Sequence, residues 1–164
     1  MSKKGFVQTP EGMYRVRGLI GPQEIVNVAS QILYRDLSER ESLTRPADAA
    51  QFLQVKLAGE KNELFGALFL DNKHRVLEFE VLFRGTVDGA AVYPRVVLQR
   101  CLELNAAAVI LAHNHPSGHL EPSEADRTIT KRLMDALALV DVRVLDHLVV
   151  SGAGFSSLAE RGWV

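Results

Sequence analysis

The chain has 164 residues, one cysteine and a formal net charge of −1, with 47% hydrophobic and 24% charged residues. That length fits one domain able to bury a core without staples, and a single Cys101 excludes an internal disulfide framework. The balanced charge excludes the basic surplus of a strong non-specific nucleic-acid binder, and no apolar run reaches the ~18 residues of a membrane span. The opening MSKKGFVQTPEG also lacks the apolar stretch of a signal peptide, so a cytoplasmic location is expected.

Residues 1 to 20 read as a loosely ordered arm, locally basic through Lys3, Lys4, Arg15 and Arg17. Pro22 suits a first helical turn. Ile25, Val28, Ala29, Ile32, Leu33 and Leu37 then follow helical spacing. Residues 1–40 are expected to form this arm and helix, and residues 41–164 the main domain. Pro46 opens a second helix, with Ala50, Leu53 and Leu57 on one face, ending near Gly59. Glu63 to Leu70 is apolar on both faces of a two-residue period, as in a strand buried between layers. Asp71-Asn-Lys73 is turn chemistry. Arg75 to Phe83 alternates, so the pair reads as a β-hairpin. Gly85 and Gly89 mark a loop.

Pro94 to Leu104 reads as a helix and Ala107 to Ala112 as a short buried strand. A polar loop from His113 to Pro122 follows. The next helix runs from about Ser123 to Leu139, with Ile129, Leu133, Leu137 and Val140 as its inner stripe. Val142 to Val150 reads as the last strand, and the tail carries Trp163. The element order suggests a mixed α/β sandwich.

The chemistry concentrates in Ala112-His-Asn-His-Pro-Ser-Gly-His-Leu-Glu-Pro-Ser-Glu-Ala-Asp126. Residues two apart on an extended chain point to the same side, so His113 and His115 can reach one ion. Asp126, in the first turn of the next helix, can be brought to the same point. Two imidazoles and a carboxylate suit Zn2+, one ion per chain, with the fourth position left to water. Zinc lowers the pKa of its water from ~15.7 to about 7. Glu63, a carboxylate at the head of an apolar strand, is the candidate general acid/base.

Blander readings stand beside this one. Ser123 with Asp126 three residues on is a good capping box. A His-x-His pair in a loop can be merely solvent-exposed, and Glu63 a strand-end charge. His119 reads as a solvent-side or substrate-side histidine. Asp146 and His147, adjacent on a strand, point to opposite faces and cannot orient each other directly; a supporting role is expected for them. Cys101 reads as core, His74 as an exposed turn residue, and Arg95 as a candidate substrate or supporting contact.

The run from His113 through His115-Pro-Ser-Gly to Ser123 and Asp126 resembles the JAMM signature of the MPN-domain metalloproteases. Ser123 lies eight residues after His115, and Asp126 three beyond it. Glu63-Leu-Phe-Gly66, fifty residues before His113, is similar to that family's glutamate strand. Phe83-Arg-Gly-Thr86, Tyr93-Pro-Arg95 and Leu145-Asp-His-Leu148 resemble the bacterial RadC branch (UPF0758), in a short form without the helix-hairpin-helix region. The resemblance covers roughly residues 40 to 164.

It implies an MPN (JAMM, cytidine-deaminase-like) α/β fold, a mixed-sheet sandwich flanked by helices. It implies His113, His115 and Asp126 as zinc ligands, Glu63 as general acid/base, and Ser123 as an oxyanion donor. The implied reaction is hydrolysis of peptide or isopeptide bonds, with an unknown peptide or protein as substrate. The alternatives are a DNA-associated protein of the RadC type, acting in repair, recombination or mobile-element biology, and a non-catalytic MPN scaffold. Nucleic acid as a partner lacks support from the charge. No membrane association is expected, and pairing into a homodimer through the N-terminal helices is open to a short chain of this type.

Overall fold

The computed structural model describes residues 5–86 and 90–164. Lys3, Lys4 and Gly89 lie outside the described residues. Four helices are present among them: α1 (Pro22–Ser38), α2 (Pro46–Leu57), α3 (Pro94–Glu103) and α4 (Glu124–Ala138). The first three open on proline, whose missing N–H and fixed φ suit a first turn. The strands are β1 (Gly5–Gln8), β2 (Tyr14–Arg17), β3 (Leu64–Leu70), β4 (Val76–Arg84), β5 (Ala108–Asn114), β6 (Arg143–Ser151) and β7 (Gly154–Ser157). None of the described helices is long and apolar enough to cross a membrane.

Five strands form one sheet in the order β4-β3-β5-β6-β7. Only β5 and β6 are parallel, with α4 as their crossover; the other neighbours are antiparallel. β3 is paired on both edges and buried along its whole length, which explains its lack of polar alternation. Its hairpin with β4 turns on Asp71. The Asp71 Oδ1 accepts from the N–H groups of Lys73 (2.8 Å) and Arg75 (2.9 Å), and His74 takes φ 58°.

Strand alternation sends side chains to two cores. On one face, Leu64, Leu68, Leu70, Ala108, Ile110, Ala112, Leu148 and Val150 pack with Phe52, Leu53 and Leu57 of α2. Leu33, Tyr34 and Leu37 of α1 join the same cluster, so packing is continuous across residue 40. On the other face, Phe65, Phe69, Val109 and Leu111 meet Val97 and Cys101 of α3 and Leu133 and Leu137 of α4. This is the mixed-sheet sandwich flanked by helices that the element order predicts.

Three local features differ from the sequence expectation. Residues 5–17, expected to be loose, form the β1–β2 hairpin. Its strands have four residues each and little burial, so no core-facing pattern marks them. β5 continues to Asn114 instead of ending at Ala112, because pairing with Phe65 of β3 and with Val149 and Val150 of β6 extends that far. β7 closes the sheet edge as a short hairpin after β6.

Candidate metal centre

The longer β5 decides the geometry. His113 falls on the strand face that carries Val109 and Leu111, toward α4, and is 1% exposed. His115 follows the strand end, where its N–H donates to the Val150 carbonyl (3.0 Å) and extends the pairing with β6. Gly118, at φ 84°, then lets the Pro116-Ser117-Gly118 turn close back, its N–H donating to the His115 carbonyl at 3.0 Å. The returning loop ends at Ser123, the N-cap of α4. Its path is tied to the tail: the Arg161 guanidinium forks onto the Glu121 carboxylate at 2.7 and 2.9 Å. Trp163 lies against Arg127 of α4.

These constraints bring His113, His115 and Asp126 together. Their ligand atoms all lie within 4.8 Å of one another. The two Nε2 atoms are 2.9 Å apart. Asp126 Oδ1 is 3.3 Å from His113 Nε2, and Oδ2 is 3.6 Å from His115 Nε2. A tetrahedral ion with bonds of about 2.0–2.1 Å spaces its ligand atoms roughly 3.3–3.4 Å apart. Taken to the carboxylate oxygen that faces each ring, the three distances bracket that edge length, so the spacing and the donor set fit a metal ion.

The capping and ligand readings of Asp126 hold together. Ser123 Oγ accepts from the Asp126 N–H (3.1 Å), while the Ser123 N–H and hydroxyl both donate to Asp126 Oδ2, at 2.7 and 2.8 Å. The cap fixes one carboxylate oxygen and leaves Oδ1 turned to His113. Burial works against the Asp126 charge, but the close contacts with His113 and then His115 outweigh it and hold the carboxyl far below its ordinary range. The same contact with Asp126 raises His115, against its partial burial, with a smaller contribution in the same sense from Glu63.

The distal nitrogens are held as well. His115 Nδ1 donates to the His119 carbonyl at 2.9 Å. His119 thus supports the site through its backbone, while its side chain is exposed. His113 Nδ1 meets Nε2 of His147 at 2.8 Å, and His147 Nδ1 meets Thr130 Oγ1 at 2.6 Å. His147 is fully buried, and burial followed by the neighbouring His113 pushes it well below the ordinary histidine range. Its neighbour Asp146 faces the other way, accepting from Ser157 Oγ (2.6 Å) and the Ala159 N–H (3.0 Å), so the two side chains do separate jobs.

Glu63 stands just before β3. Its Oε1 accepts from the Ala90 N–H at 3.2 Å, its carbonyl from the Gly85 N–H at 2.8 Å. It lines one cleft of about 600 Å³ with His113, His115, Ser123 and Asp126, between walls that include Phe65 and Ile129. Arg95 is exposed on α3 and does not line that cleft, and Cys101 is core.

Sequence reasoning missed two residues of this site. Thr130 is the one polar side chain on the buried Thr130–Leu133–Leu137 stripe of α4, which is the signal that marks it. Asn114, between His113 and His115, is fully buried. Its Oδ1 accepts from the Leu64 N–H at 2.7 Å, and its Nδ2 donates to the carbonyls of Asn62 (3.1 Å) and Glu60 (3.3 Å). A buried asparagine needs such partners.

Comparison with known proteins gives the family. The profile of the RadC-like JAB domain matches residues 43–163. A UPF0758 protein of Vibrio cholerae serotype O1 is 56% identical over 140 residues, covering 85% of this chain and 88% of the relative. UPF0758 proteins of Aliivibrio fischeri (strain MJ11) and Stutzerimonas stutzeri (strain A1501) are 51% and 55% identical over 142 residues. The chain spans 63% of the length of those two relatives. With about three quarters of its length matched by that domain and its histidine–aspartate cluster in place, the chain belongs to the RadC-like JAB domain family.

Proposed function

We infer that the chain is a zinc-dependent hydrolase of peptide or isopeptide bonds. The observation that carries this reading is the convergence of His113, His115 and Asp126 in one cleft with Glu63. Two imidazoles and a carboxylate are a zinc donor set, and three protein ligands leave a position for substrate or water. Zinc held there supplies acidified water and a Lewis acid for the scissile carbonyl.

The chain's own residues do the rest. Glu63 takes a proton at its carboxylate and returns it to the leaving nitrogen. The Ala90 N–H steadies that carboxylate by donating to its Oε1. Ser123, exposed at the rim, is the oxyanion donor, its hydroxyl turning from Asp126 Oδ2 to the substrate oxygen. Family membership supports a JAMM-type hydrolase fold; amide-bond hydrolysis rests on the site.

The test is turnover of a fluorogenic peptide and isopeptide panel by zinc-loaded protein, beside Glu63→Gln. The variant is expected to keep its zinc and lose roughly 10²–10⁴-fold in rate. Equal rates in parent and variant remove Glu63 from the mechanism, and no turnover by either on any member of the panel removes the peptidase reading.

A further inference from the structure

The two ligand histidines are held by different kinds of partner. His115 Nδ1 faces a backbone carbonyl, which can only accept. That contact alone puts the proton on Nδ1 and leaves the Nε2 lone pair for an ion. His113 Nδ1 faces another imidazole nitrogen, Nε2 of His147, which can donate or accept. Nothing in that pair alone decides which His113 nitrogen carries the proton.

The decision is made two bonds further on. Thr130 Oγ1 lies 2.6 Å from the Asp126 carbonyl and 2.6 Å from His147 Nδ1. A hydroxyl has one proton to give. The carbonyl can only accept, so the proton goes to Asp126. Thr130 Oγ1 must then accept from His147, which places a proton on His147 Nδ1. The buried His147 ring meets no carboxylate among the described residues, its polar partners being Thr130 and His113. A second proton on that ring would be an unpaired buried charge. Its Nε2 therefore accepts, and His113 Nδ1 donates to it.

We propose that Thr130 and His147 form a hydrogen-bond relay that fixes the tautomer of His113 and presents its Nε2 lone pair to the metal ion. The relay is closed: it starts at the backbone carbonyl of Asp126 and returns, through His113, to the ion that the Asp126 side chain also holds. Helix α4 thereby positions two of the three ligands, one by its first turn and one by Thr130, a turn further on. Thr130 and His147 are positioning residues, and neither lines the cleft. The proposal rests on the metal reading above but not on the reaction assigned to it.

Two measurements test it on the full chain. The first is the side-chain nitrogen spectrum of ¹⁵N-labelled, metal-free protein, which reports the protonated nitrogen of each histidine. In the parent, His113 and His147 are both expected as Nδ1–H tautomers. Thr130→Val keeps the shape but removes the hydroxyl and should mix the tautomers of both rings; Thr130→Ser keeps the hydroxyl and should restore them. The second is zinc affinity by chelator competition. Loss of an outer partner typically weakens a metal site by about 10–100-fold, and that loss is expected for Thr130→Val and not for Thr130→Ser.

Parent tautomers retained in Thr130→Val, or zinc affinity unchanged in it, would overturn the relay. Equal weakening by valine and serine would mark Thr130 as packing and overturn it too. A parent with the expected tautomers but no affinity for zinc would support the hydrogen-bond direction while removing the zinc hydrolase reading.

Discussion

The Asn114 side chain accepts the backbone N–H of Leu64 at 2.7 Å, across fifty residues of sequence. That bond joins the end of β5, between His113 and His115, to the first residue of β3, next to Glu63. Glu63 and the His113–His115–Asp126 cluster, the proposed acid/base and metal ligands, are thus held in one frame by a residue that does not line their cleft. Asn114→Ala leaves the Leu64 N–H without this partner, and the expected destabilisation is about 1–3 kcal/mol, read by urea unfolding. The His113–His115–Asp126 set does not depend on Asn114 for its contacts, so zinc should stay while turnover falls. A variant as stable and as active as the parent would contradict this role.

Gly66 explains the glycine of the Glu63-Leu-Phe-Gly66 run by close approach. A Cβ there would meet the Glu80 carbonyl at 3.0 Å and the Phe79 ring at 3.1 Å. The pairing of β3 with β4 also shifts register between Phe65 and Gly66. Gly66→Ala has to push β4 away, and overpacking of this kind costs about 1–3 kcal/mol. A melting curve compared with Ala67→Gly, on the opposite face of β3, checks it: both should lower the melting temperature, the first by clash and the second by lost packing. An unshifted Gly66→Ala curve would show that β4 yields freely.

Cys101 sits in the α3–α4 core with no exposed surface, and burial pushes its thiol from near 9 up to about 11. The folded protein is therefore expected to resist thiol reagents at neutral pH and to react fully once unfolded. The raised value also fixes a sign. The neutral thiol is favoured in the fold, so its contribution to stability is complete below pH 9 and is lost as pH rises toward 11. Cys101→Ala should remove that part of the alkaline decline, measured by unfolding at a series of pH values.

Much of this architecture is legible in the sequence because it is local. Pro22, Pro46 and Pro94 mark helix starts by their own φ preference, and the unbroken apolar run of β3 announces a central strand. The His113–His115–Asp126 cluster is legible because two histidines two apart and a serine–aspartate cap are short-range patterns. What the sequence hides depends on partners far along the chain. His147 meets His113 from thirty-four residues away and Thr130 from seventeen. Pairing with β3 and β6 carries β5 through His113 and Asn114. The β1–β2 hairpin is hidden for another reason: its strands bury almost nothing, so no side-chain period points inward.

The most direct measurement is the metal content of purified protein, by elemental analysis after exposure to zinc and removal of excess, beside His115→Ala and Asp126→Ala. Close to one zinc per chain is expected in the parent and almost none in either variant, with the variants still folded by circular dichroism. A parent that holds no zinc, or variants that hold as much as the parent, would contradict the metal centre and leave Asp126 as the cap of α4 alone.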